Sequence, residues 1–212
     1  MRIDSAGYPF IVGALAVAVA AGAAAGWMFA LPFAVLGAFF AFFFRDPDRR
    51  APATISDDDV LSPADGRVLF AGPAMTDAAP SGAWQQISIF LSPMDVHVNR
   101  VPASGRVTRV TLTKGRFVPA YRHDAATVNE RSEIWIDHHG QLIVARQIVG
   151  ILARRVVCRL QSGDDVQAGQ RLGIMKFGSR MDVFVPRNAR ITVQVGQMVR
   201  GGETVIAVLH SQ

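Results

Sequence analysis

From Ser5 to Phe44 the chain carries no charged residue, and Ala, Val, Leu, Phe and Gly make up most of it. As one helix at about 1.5 Å per residue this stretch would be roughly twice as long as the ~30 Å hydrocarbon layer of a bilayer is thick. The pattern therefore predicts two helices, with the break at Gly26-Trp27 or Leu31-Pro32, where a proline and an interface-seeking tryptophan fall close together. Ile11 to Ala25 is rich in Gly and Ala, which lets a second helix approach closely, and the second half ends in Phe39-Phe40-Ala41-Phe42-Phe43-Phe44. Residues 1–44 thus read as a membrane-associated hydrophobic helical hairpin. The competing reading is a cleaved signal peptide, with Ala23-Ala24-Ala25 as its small-residue site. The apolar run continues well past that point, which argues against it.

From Val60 onward the pattern changes to short segments punctuated by glycine. Gln86–Leu91, Arg106–Leu112, Ile134–Ile136, Leu142–Ala145 and Ile191–Val195 carry the period-two or β-branched signature of strands. The segment from Ala71 to Ala83, with Pro73, Pro80 and Gly82, has the composition of a surface loop. Residues 45–212 are predicted to be mostly β. Within them Gly163-Asp164-Asp165-Val166-Gln167-Ala168-Gly169 is echoed by Gly196-Gln197-Met198-Val199-Arg200-Gly201-Gly202, and Gly66-Arg67-Val68 more faintly by Gly105-Arg106-Val107. These turns resemble those of the barrel-sandwich domains that carry biotin or lipoate.

Charge adds a direction. Arg45, Arg49 and Arg50 follow the apolar block, and cationic flanks favour the cytoplasmic side. The predicted location is the cell membrane, with the polar domain on its cytoplasmic face. A formal charge of +5 suits anionic headgroups. The basic residues are scattered and lack interleaved aromatics, so no nucleic acid partner is expected. Cys158 is the only cysteine, which excludes an intrachain disulfide and a cysteine-based metal cluster. No metal is expected, and Cys158, next to apolar Val156 and Val157, reads as a core thiol.

The candidate chemistry lies in four ordered motifs. They are Ser62-Pro63-Ala64-Asp65-Gly66, then Phe90-Leu91-Ser92-Pro93-Met94-Asp95-Val96-His97-Val98-Asn99-Arg100, then Asn129-Glu130-Arg131, and Phe177-Gly178-Ser179-Arg180 followed by Met181-Asp182-Val183. A Gly-Ser pair alone is ordinary turn chemistry. In this order and spacing, however, the motifs resemble the phosphatidylserine decarboxylases, in particular their compact branch, from about Arg45 to Leu209.

The resemblance implies that the Gly178–Ser179 bond cuts itself, giving a β chain of residues 1–178 and an α chain of residues 179–212 that begins with a pyruvoyl group derived from Ser179. That group is the cofactor, and its carbonyl takes up the electrons freed as carbon dioxide leaves phosphatidylserine, yielding phosphatidylethanolamine. The implied catalytic residues are Ser179, Gly178, His97 for proton transfer, and Asp65 to orient a histidine. Asn129 and Arg131 are the implied substrate-binding residues. The implied partners are phosphatidylserine in an anionic membrane and the two chains of one precursor, and a homo-oligomer is compatible with this reading.

Arg100 departs from the pattern of larger members, which place a second histidine there as the base for self-cleavage. Arginine cannot act as that base at neutral pH. His97 serving both steps, His123, His138 or His139 reaching in from another strand, or a strained backbone that needs less help from a base, are the alternatives. A rival reading of the whole chain is a biotin- or lipoyl-type carrier, or a membrane-anchored adaptor, with Lys176 in Met175-Lys176-Phe177 as its attachment site. A carrier needs that lysine on an exposed hairpin tip.

Overall fold

In the computed structural model, which describes residues 2–75, 79–122, 124–151, 156–176 and 179–210, the chain separates into two compact units, Met1–Asp48 and Arg49–Gln212. The first is the helical pair: α1 (Tyr8–Ala25) and α2 (Trp27–Phe43). Gly26, with φ +95°, makes the break between them, while Pro32 is accommodated inside α2. The helices pack through small residues. A Cβ on Gly37 would lie 3.2 Å from Leu15, and one on Gly22 3.2 Å from Ala30, so their missing side chains are what lets the backbones approach. Phe10, Phe39, Phe40, Phe43 and Phe44 form a chain of ring contacts at the other end of the pair. Ser5–Ala25 is long and apolar enough to cross a membrane, by length and composition.

The second unit is mostly β, as expected. An eight-stranded antiparallel sheet runs in the order Asp165–Val166, Gly105–Thr113, Arg131–His138, Gln141–Val149, Ser179–Pro186, Trp84–Leu91, Gly66–Pro73 and Met198–Val199. Two three-stranded sheets complete the unit: Val156–Cys158, Arg171–Met175, Val98–Arg100, and Arg190–Ile191, Val205–Val208, Asp59–Leu61. Alternate residues of the central strands, including Ile87, Ile89, Leu91, Met181, Val183, Val185, Ile134, Ile136, Ile143 and Ala145, form one buried core with Val60, Leu172, Met175 and Ile206, as the two-residue period of a strand requires.

The echo in the sequence is a structural repeat. Val68 N–H donates to Gln197 O while Gly196 N–H donates to Val68 O, and Val107 with Asp164 and Gly163 makes the same pair of bonds. Both Gly66 and Gly105 open a strand at a φ near +150°, where an added Cβ would stand 2.1 Å from Phe90 O and 2.2 Å from Asp137 O. Both strands then carry a register shift, at Val68/Phe70 and at Val107/Arg109. Glycine is required at these two positions by the close approach of the neighbouring strand.

Candidate active site

Ser179 begins a central strand and pairs with Leu91 on one side and Val149 on the other. It is fully buried, and its Oγ has no hydrogen-bond partner among the described residues. A buried hydroxyl without a partner costs about 1–3 kcal/mol, and such strain is kept where a site needs a reactive group held ready. Gly178 and Phe177 lie outside the described residues.

The other motifs converge on the strands beside Ser179. Asn129 is fully buried, and its Nδ2 donates to Val149 O and to Val118 O, each at 2.8 Å, while its Oδ1 accepts from Val118 N–H at 3.0 Å. Glu130 O accepts from Val149 N–H at 3.1 Å. Asn129 and Glu130 thus fix the residue that flanks Ser179, through main-chain contacts that a sequence motif does not disclose. Arg131 points to the other face. It shares a cavity of about 450 Å³ with Arg109, Arg146, Glu133 and Trp135. Its Nη1 donates to Thr127 O, and Arg146 is paired with Glu133 at 2.5 Å. Burial and the neighbouring Arg146 charge lower the Arg131 pKa, with Glu133 opposing them.

His97 is fully buried and sits beside the strand that leads toward Ser179: its carbonyl accepts from Met175 N–H at 3.3 Å. Its Nδ1 lies 2.9 Å from Asp95 O. A carbonyl can only accept, so Nδ1 carries a proton, which makes Nε2 the nitrogen through which a neutral imidazole would act as a base. Asp65 is engaged elsewhere. Its Oδ2 accepts from Arg49 at 2.6 Å and its Oδ1 from Gly201 N–H at 2.8 Å, so the carboxylate-to-imidazole bond implied by the resemblance is not among its contacts. Arg100, in the place of the second histidine, is mostly buried and donates to Gly169 O.

His138 and His139 do not reach the site. They form the turn at the end of the nine-residue strand Gln141–Val149 opposite to Val149, roughly 25–30 Å from Ser179 at about 3.3 Å per residue. His138 Nδ1 donates to Ser104 O, and exposed His139 pairs with Asp57. His123 lies outside the described residues. Lys176 does not look like a carrier lysine, since it is only partly exposed and follows fully buried Met175. Cys158 is half-buried with its Sγ near Leu160 O, and burial pushes its thiol pKa up.

Two buried groupings escaped the sequence reading. On the face of the strand opposite Ser179 Oγ, Arg180 makes a two-pronged bond to Asp182 at 2.6 and 2.9 Å and donates to Ser88 Oγ; residues two apart on a strand share a face, which was the available signal. On the interior face, Ser132 Oγ donates to Gln147 Oε1 and Gln147 Nε2 donates to Asn99 Oδ1, both at 2.7 Å. Those residues are scattered along the chain, and only folding brings them together.

Fold and site together define a β-rich protein with a paired apolar helix segment and, in its second unit, a buried serine at the head of a central strand and a buried histidine bonded to Met175. Residues 36–207 match the family model for phosphatidylserine decarboxylase. The chain belongs to that family. It is 38% identical over 205 residues to the phosphatidylserine decarboxylase proenzyme of Nitrosomonas europaea, covering 96% of this chain and 94% of that protein. The proenzymes of Solibacter usitatus and Chlorobium limicola are 39% identical over 207 residues and 41% identical over 210, with 98% and 95% of this chain and 97% of each relative covered.

Proposed function

We propose that the protein is a membrane-associated, self-processing phosphatidylserine decarboxylase whose pyruvoyl cofactor arises from Ser179. The observation that carries this reading is the fully buried, unpartnered Ser179 Oγ at the start of a central strand, in a chain whose curated relatives are named as proenzymes. A water-excluded hydroxyl with no competing bond fits a residue destined to become a reactive carbonyl.

In processing, Ser179 Oγ attacks the Gly178 carbonyl carbon and gives its proton to His97 Nε2. The Gly178–Ser179 C–N bond breaks as the Ser179 nitrogen takes up a proton, leaving an ester. Loss of the Ser179 α-proton then expels the Gly178 carboxylate, freeing residues 1–178 from residues 179–212 and leaving dehydroalanine; water completes the conversion with release of ammonia. The pyruvoyl group supplies a carbonyl that joins the substrate amine and accepts the electron pair released with carbon dioxide.

His97 then acts in proton transfer to the product carbon, and Asp65 ties the Arg49 and Gly201 segments together. Asn129 serves by fixing Val149. Arg131, with Arg109 and Arg146, gives positive potential that draws anionic headgroups. The strands on both sides of Ser179 run out into exposed apolar residues, Met94 after Leu91 and Ile151 after Val149, as suits a site that meets its substrate at a bilayer. The apolar helical pair anchors the chain at the cell membrane, with the catalytic unit on the cytoplasmic face.

The test is an intact-mass spectrum of purified protein with a Ser179→Ala control. The expected result is two chains with the new terminus at residue 179, and a single inactive 22.9 kDa chain for the variant. An active protein of one uncut chain refutes the reading.

A further inference from the structure

The mechanism above leaves one buried group unused. Asn99 is fully buried on the strand Val98–Arg100, and its Nδ2 has no partner among the described residues. Its amide is nevertheless held in one orientation, because Ser132 Oγ donates to Gln147 Oε1 and Gln147 Nε2 donates to Asn99 Oδ1. The relay ends in an unspent N–H. Leaving a buried donor unsatisfied costs about 1–3 kcal/mol, so three side chains are arranged to present a group that the resting fold does not use.

The relay shares its interior with Ser179. Gln147 stands directly opposite Met181, and Val149, two positions on and on the same face, stands opposite Ser179; diagonal neighbours of this kind are about 7–8 Å apart at Cα, within the span of a glutamine and an asparagine side chain. Two orphaned polar atoms are thus linked across the interior side of the sheet through Gln147, one an N–H donor and the other a hydroxyl with two lone pairs to fill.

We infer that Asn99, oriented by Ser132 and Gln147, is the donor to Ser179 Oγ in self-cleavage. By donating to a lone pair, Asn99 Nδ2 holds the hydroxyl so that its proton is offered to the base, and it stabilises the negative charge that grows on Oγ as that proton leaves. The atoms balance as in the processing step above: Asn99 gives up no proton and only contributes the hydrogen bond. A role in this place also explains why a chain with Arg100 in place of a second histidine still has a polar activating group inside the site. The inference rests on Ser179 being the cleavage nucleophile.

The experiment follows the precursor in time by intact mass, for the full chain and for Asn99→Ala and Gln147→Glu. Glutamate at 147 cannot donate to Asn99 Oδ1 and instead accepts from Asn99 Nδ2, which takes the donor away while leaving Asn99 in place. Melting curves select the variants that remain folded, and Gln147→Glu carries the test alone if Asn99→Ala does not fold. The expected result is cleavage slowed on the order of 100- to 1000-fold in both, the range for losing one donor to a developing charge, with no hydroxylamine-sensitive ester accumulating, because the first step is the one impaired. Folded variants that cleave at the wild-type rate overturn the inference, and so does accumulation of the ester, which would place Asn99 in elimination. Failure of the unmodified chain to cleave at 179 refutes the parent reading instead.

Discussion

At Ser179 and His97 the decisive feature is what each side chain is bonded to. Asp95 O accepts a hydrogen bond from His97 Nδ1, so a neutral imidazole would act as a base through Nε2, and no other histidine among the described residues approaches Ser179. His97→Ala is therefore expected to persist as an uncut precursor, read directly on a denaturing gel; a fully processed but slow variant would confine His97 to decarboxylation. Arg131 lies on the opposite face of the sheet, and its proposed role is attraction at longer range. Replacing it with glutamine is expected to raise KM for anionic vesicles several-fold with kcat nearly unchanged, and salt should narrow the difference because attraction across solvent is screened. A loss in kcat with unchanged KM would tie Arg131 to the chemistry instead.

The strands and turns position these groups through close approach. Gly66 and Gly105 begin the two equivalent strands where a side chain would collide with Phe90 O and Asp137 O, and Phe90 lies next to Leu91, the partner of Ser179. Gly66→Ala and Gly105→Ala should each destabilise the protein by about 2 kcal/mol or more, from the backbone shift and the strained φ. Urea melts measure this. Gly66→Ala should also slow cleavage, since the strand it displaces, Trp84–Leu91, pairs directly with Ser179, whereas Gly105→Ala, on a strand three places from that of Ser179 in the sheet, should cleave normally once folded. Equal effects on cleavage would show that the register of the whole sheet, and not the local approach, governs the site.

For the whole molecule, the division at Asp48/Arg49 leaves all four motifs in the second unit. Removing residues 1–44 is expected to give a more soluble protein that still cleaves itself, with activity on bilayers falling far more than activity on a short-chain soluble substrate. An equal loss on both substrates would mean that the helical pair helps build the catalytic unit. The measurement compares the two activities in one preparation.

The sequence by itself determined the helical pair, because forty uncharged residues have no other economical arrangement, and the β character of the rest, because period-two alternation suits only a strand with one buried face. The resemblance carried by the ordered motifs also implied roles for Ser179, His97, Asp65, Asn129 and Arg131. Their bonds were decided by the tertiary structure alone. Asp65 is held by Arg49 and Gly201, Asn129 clamps Val149, Arg131 faces away from Ser179, and Ser132, Gln147 and Asn99 meet in one relay, all through contacts between residues far apart in the chain. Local periodicity reports which face a side chain occupies, but partners across a sheet depend on strand order and register, which are set by how the whole core packs.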